Sequence, residues 1–149
     1  DTLRLEKGYL LSGQDFLWPG LDTSPEVNLP EGFLHRNTVE TDVPFGLNMN
    51  HEFIGKSSVE KSLDNSLRWA GIRCVGRGPS PRPGHPVLTS ESVDSEIIGY
   101  VTSGAPSPSL GGIGIAMAYL DGAEIGQSVW IKASPRRTVE AVVVSTPFL

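Results

Sequence analysis

The chain has 149 residues, 38% hydrophobic content, 19% charged content and a net charge of −5. That is apolar enough for a core and too sparsely charged for disorder, and the length suits one domain or a small domain plus part of another. The sequence lacks the basic stripe of a nucleic-acid binder, and no apolar run is long enough to span a bilayer. Gly (17) and Pro (12) together make up about a fifth of the chain, which favours short strands joined by turns over a helical bundle. A lone cysteine, Cys74, excludes an internal disulfide and a Cys-cluster metal site, and it fits a reducing compartment. The chain opens on Asp1 and enters a structured pattern at once. The expectation is therefore a piece of a longer protein, beginning mid-domain, with no signal peptide.

Residues 2–11, TLRLEKGYLL, read as the end of a helix, with Leu3 and Lys7 one turn apart and Gly8 as the stop. Residues 12–38 carry the turn signals Pro19-Gly20, Ser24-Pro25 and Pro30-Glu31-Gly32. A structureless stretch of that length is uncommon inside a compact domain, so it is either a surface excursion or a functional loop. A short strand is expected within 39–49. A short helix is expected over 55–65, with Ser57 and Glu60 at capping-box spacing and Val59 and Leu63 as its apolar face.

From Leu67 the pattern becomes strand-like. Strands are expected at 67–75, 96–102, 113–119, 128–133 and 138–145, with a rigid Pro-rich loop over 76–86. The fold class is mainly β, an α+β fragment ending in a β-barrel or jelly-roll-like domain. The division falls near 64–67, giving segments 1–64 and 65–149.

The side chains offer little independent chemistry. His35, His51 and His85 show no metal-ligand spacing. Ser103 and Cys74 are the candidate nucleophiles, but no G-x-S-x-G elbow is present. Ser103 reads as a turn hydroxyl bonding its own backbone, and Cys74 as a small strand hydrophobe. Gly111-Gly112-Ile113-Gly114 leads into a strand and not a helix, so it reads as a tight turn and not a phosphate cradle. Arg77 and Arg82 flank a Pro-stiffened loop. They read either as a guanidinium fork for a carboxylate, from a ligand or a neighbouring domain, or as solvated and structurally paired charges. Arg136-Arg137 sits at a hairpin tip.

Six segments in chain order resemble one family: D-T-L-R-L-E-K-G-Y (1–9), V-E-T-D-V-P-F-G-L with E-F-I-G-K (39–47 and 52–56), R-G-P-S-P-R-P-G-H-P-V-L (77–88), G-Y-V-T-S-G-A-P-S-P-S-L (99–110), I-A-M-A-Y-L (115–120) and the final T-P-F-L (146–149). The family is the glycine cleavage T-protein, or aminomethyltransferase. The resemblance covers nearly the whole chain apart from about 16–36. It implies the tail of a folate-binding core followed by a C-terminal barrel. It also implies tetrahydrofolate as cofactor, lipoylated H-protein as partner, a monomer, and a location in the cytoplasm of a prokaryote or the mitochondrial matrix of a eukaryote.

The resemblance places the family's catalytic Asp, its pterin-holding Glu and a folate-contacting Arg upstream of Asp1, so no catalytic residue is expected here and the 149 residues alone are expected to be inactive. Tyr9 matches a ligand-contacting Tyr of some members. Tyr9, Arg77 and Arg82 are thus the candidate cofactor-binding residues, and no metal ligand is expected. Loops 76–86 and 102–111 are expected to face the rest of the protein. Two departures stand out: the connection from Gln14-Asp15 to Val39-Glu40 is long, and Pro44-Phe45 replaces a small residue followed by Trp. A related folate-dependent demethylase, a dimethylglycine or sarcosine oxidase-type domain, and a non-catalytic barrel binding module are the alternatives.

Overall fold

Alternating apolar residues from Leu67 onward build a closed, all-antiparallel barrel. The computed structural model describes residues 1–42, 47–65 and 67–149. Its strands are β1 (Leu67–Cys74), β2 (Pro86–Leu88), β3 (Ile97–Ser107), β4 (Ile113–Asp121), β5 (Ser128–Ser134) and β6 (Arg137–Val144), in the order β1-β4-β3-β2-β5-β6 with β6 pairing back to β1. Closure leaves no free sheet edge.

The five expected strands are all present. β2 was hidden in the sequence because its three residues abut the Pro-rich loop. β3 runs past 102 to Ser107, so the loop expected over 102–111 is a strand for its first half. The expectation that this half is a loop is corrected: it is strand, with Thr102, Ser103 and Ser107 buried.

The inner face carries Ile72, Val87, Val101, Ala116, Ala118, Leu120, Val129, Ile131 and Val143 as one apolar cluster. Each large aliphatic side chain buried in this way contributes about 1.5–3 kcal/mol. β3 and β4 approach so closely that a Cβ on Gly99 would lie 1.9 Å from the carbonyl oxygen of Tyr119, so only glycine fits there.

β4 explains the rest of the architecture. Its alternate residues Ile115, Met117 and Tyr119 point out of the barrel, yet each is fully buried. A strand buried on both faces needs a second layer. Residues 1–42 supply it, with Leu5 and Leu10 packing on Ile115 and Met117, and Leu17, Phe33 and Leu34 packing on Tyr119. The 12–38 stretch has almost no regular structure, but it covers this outer face instead of looping away from it.

The first helix, α1 (Thr2–Lys7), is shorter than expected and ends where foreseen, at Gly8 in the left-handed region (φ 75°). The second, α2 (Lys56–Ser62), is capped by Gly55 and no side chain bonds its first turn. The expected capping box of Ser57 and Glu60 is therefore not formed: the helix begins at Lys56, which puts Ser57 inside its first turn. No residue of α2 is buried, and Leu63 is exposed. The strand expected within 39–49 falls largely on 43–46, outside the described residues; 38–42 form turns.

Candidate functional site on the covered face of the barrel

Two buried carboxylates tie residues 1–17 to the barrel. Asp15 is fully buried. Its Oδ1 accepts from Thr102 Oγ1 and Ser103 Oγ, both at 2.5 Å. Its Oδ2 accepts from Arg4 Nη1 at 2.8 Å and from the Leu11 N–H at 2.9 Å. Its backbone carbonyl accepts the Tyr119 hydroxyl at 2.8 Å.

Consecutive residues of a regular strand point to opposite faces, so Thr102 and Ser103 could not normally reach one oxygen. The β3–β4 register shifts between Val101 and Ser103. This bulge turns both hydroxyls to the same side. Ser103 is thus corrected from a turn hydroxyl to a buried strand hydroxyl that donates to Asp15 and accepts from Arg4.

Arg4 gathers the other side of the cluster. Its Nε donates to Asp1 Oδ1 at 2.5 Å, Nη1 to the Tyr9 carbonyl at 3.0 Å and Nη2 to Ser103 Oγ at 2.9 Å. Glu6 makes the second tie. It accepts from Ser107 Oγ, from the Ser109 N–H at 3.1 Å and from Ser109 Oγ at 3.1 Å. The Ser107 bond first, then the Ser109 amide, hold its carboxyl below the ordinary 4.5 despite burial.

A depressed folded pKa means that the folded state binds fewer protons than the unfolded chain. The stability it contributes is complete above the ordinary value and is lost as pH falls through the folded value. Denaturation curves are therefore expected to show stability declining below about pH 4.5, with a shallower decline in Glu6→Gln. Equal slopes for both proteins would contradict this role.

Beyond these ties, Arg36 lies over the rings of Phe33 (4.8 Å) and Tyr119 (5.1 Å) and pairs with Glu40 at 2.9 Å. Glu40 also accepts from Asn65 Nδ2 and the Asn37 N–H, and its carbonyl accepts from the Trp69 N–H. Burial, followed by the Asp15 carboxylate nearby, raises the Tyr119 phenol well above its usual value. It stays protonated and serves as a donor. An open cavity of about 500 Å³ adjoins this layer, lined in part by Trp18, Asp22, His35, Arg36 and Glu40.

The sequence candidates lie outside the helices and strands, Tyr9 after α1 and Arg77 and Arg82 between β1 and β2. Tyr9 follows α1 and is 61% exposed, joined to the cluster through its carbonyl. Arg77 Nη2 donates to the Gly111 carbonyl. Arg82 is exposed, and its backbone N–H donates to His85 Nδ1. Among the described residues neither pairs with a carboxylate. Burial, then the Arg82 charge, lower the His85 pKa. Cys74 is buried, its thiol pushed up to about 11 by desolvation, which makes it a packed strand residue and a poor nucleophile. Among the described residues no cluster of His, Cys, Asp and Glu could hold a metal ion, and no helix is long and apolar enough to cross a membrane.

Residues 68–149 match the family model described as the glycine cleavage T-protein C-terminal barrel domain. The chain belongs to the glycine cleavage T-protein family. A probable aminomethyltransferase of Thermococcus gammatolerans is 37% identical over 99% of this chain and 35% of its own length. An aminomethyltransferase of Halothermothrix orenii is 33% identical over 100% of the chain and 37% of its own length. The crystal structure of the glycine cleavage system aminomethyltransferase T from Bartonella henselae superposes with a TM-score of 0.70 at 25% identity, covering 100% of this chain and 37% of that one. The chain thus spans about a third of the length of these relatives, and the T-protein barrel is the part with its own family model.

The polar residues Arg4, Glu6, Asp15 and Ser107 went unrecognised in the sequence, and Ser103 was singled out there for another role. One signal was available. The run V-T-S-G-A-P-S (101–107) places three hydroxyls in a segment of otherwise apolar and small residues, and buried hydroxyls require partners.

Proposed function

We propose that this chain supplies the C-terminal third of a tetrahydrofolate-dependent aminomethyltransferase. The enzyme takes the aminomethyl carbon from the lipoyl arm of H-protein, passes it to tetrahydrofolate, releases ammonia and leaves dihydrolipoyl H-protein. The observation carrying this reading is that the similarity to aminomethyltransferases extends beyond the barrel, over 99% of the chain. Residues 1–64 are read as the tail of the folate-binding core and 65–149 as the barrel. The protein is read as a monomer, cytoplasmic in a prokaryote or in the mitochondrial matrix of a eukaryote.

The described residues fit one wall of a folate site. The exposed Tyr9 ring offers a surface on which a planar ring can pack. The carboxylates of Asp15, Glu6 and Glu40 are all engaged inside the protein, so none is free to pair with pterin N–H groups. On this reading Tyr9 touches the ligand, while Arg82, whose guanidinium is unpaired among the described residues, and Arg77 contribute charge at the barrel rim. When bound, tetrahydrofolate supplies the nitrogens that accept the one-carbon unit, and this chain orients it and shields it from water.

The test is to assay the full-length protein with tetrahydrofolate and three donors: aminomethyl-loaded H-protein, dimethylated amines and sulfonium compounds. Turnover confined to H-protein is expected. Turnover confined to either other donor would replace this reading with a demethylase or oxidase-type function.

A further inference from the structure

Arg4 is the side chain, among the described residues, that touches both ends of α1 and the barrel together. Its five N–H donors are spread over Asp1 at the start of the helix, the Tyr9 carbonyl beyond its end, Asp15 in the following loop and Ser103 on β3. A helix of six residues has no stability of its own, so its placement comes from these bonds, from the Glu6 bonds to Ser107 and Ser109 and from Leu5 packing on Ile115 and Met117. Leu5 fixes which face is down. Among the described residues it is Arg4 that donates to the carbonyl of Tyr9, the residue following Gly8, and it does so where the Tyr9 ring is presented.

The guanidinium is itself held, paired to a fully buried carboxylate with its side chain 15% exposed. A rigid planar fork clamped by a buried anion is how a supporting residue locks one that it does not resemble.

We propose that Arg4 is a positioning residue for the ligand contact made by Tyr9, transmitting the geometry of the barrel strand β3 to the tetrahydrofolate side of α1. This rests on the function proposed above. Lysine at position 4 keeps the charge opposite Asp15 but cannot serve the Tyr9 carbonyl, Ser103 and Asp1 at once. An error of about 1 Å at a contact residue is enough to weaken a productive geometry.

Tetrahydrofolate saturation kinetics and thermal melts on the full-length protein test this. Arg4→Lys is expected to raise KM for tetrahydrofolate about tenfold while kcat stays within about twofold. In a Tyr9→Ala background the same substitution is expected to add nothing, because the residue through which it acts is gone. A purely structural role predicts the opposite: a lowered melting temperature, unchanged KM and additive effects. That result overturns the proposal.

If Arg4→Lys fails to fold, Ser103→Ala removes the barrel-side acceptor of Arg4 together with one donor to Asp15 and leaves Asp15 paired with Arg4. It is expected to raise KM about threefold, and an unchanged KM again overturns the proposal. A full-length wild-type protein that does not bind tetrahydrofolate overturns the functional reading and this role together. Normal binding by the wild type and by both variants overturns this role alone.

Discussion

Asp15→Ala is expected to destabilise the fold by about 3–5 kcal/mol, the usual cost of removing one partner from a buried ion pair. Asp15 has no solvent exposure, and its carboxylate accepts four hydrogen bonds from three separate parts of the chain. Alanine leaves the Arg4 charge with the exposed Asp1 carboxylate in place of its buried counterion and strands the Thr102 and Ser103 hydroxyls in a site closed to water. Unsatisfied buried donors each carry a desolvation penalty. The loss does not stop at these atoms, because Asp15 also brings Leu17 to its seat against Tyr119. Asp15→Asn, which keeps the shape and loses the charge, is expected to cost less than alanine. Urea unfolding midpoints measure both. A loss below about 1 kcal/mol for alanine, the level of an ordinary surface substitution, would show that the cluster is incidental to the fold.

The 149-residue chain alone is expected to support no transfer of the aminomethyl carbon and to bind tetrahydrofolate weakly or not at all. The reason lies in the side chains present. Among the described residues the buried carboxylates Glu6, Asp15 and Glu40 are engaged internally, and no hydrogen bond joins the exposed candidates Tyr9, Arg77 and Arg82 to one another. A ligand carrying a pterin, a benzoyl linker and a glutamate tail needs convergent polar groups for specificity, and the described residues offer a wall and not an enclosure. Calorimetric titration of the 149-residue chain with tetrahydrofolate checks this, and micromolar binding would contradict it.

The barrel was legible in the sequence because its signal is local. IGIAMAYL, VWIKA and TVEAVVV are strand patterns at turn-punctuated spacing, and Gly8 and Gly111-Gly112 mark turns that any chain would need. β2 was not legible: three residues next to Pro86 carry too little pattern to separate from the rigid loop before them.

The polar cluster was not legible for a different reason. Asp15 sits 87 positions before Thr102 and 88 before Ser103, and Glu6 sits 101 before Ser107, so no spacing rule joins them. The Ser103 assignment failed because the bulge at Thr102 depends on pairing with β4, which local turn propensity does not reveal. The family resemblance arose from ordered motifs, and two of them, L-R-L-E and T-S-G-A-P-S, turn out to be the two sides of this cluster.

The most direct test of the proposed function is formation of 5,10-methylenetetrahydrofolate by the full-length protein from aminomethyl-loaded, lipoylated H-protein and tetrahydrofolate. Product and ammonia are expected in equal amounts, and neither when H-protein is omitted. No product with H-protein, under conditions where a known aminomethyltransferase turns over, would contradict the assignment.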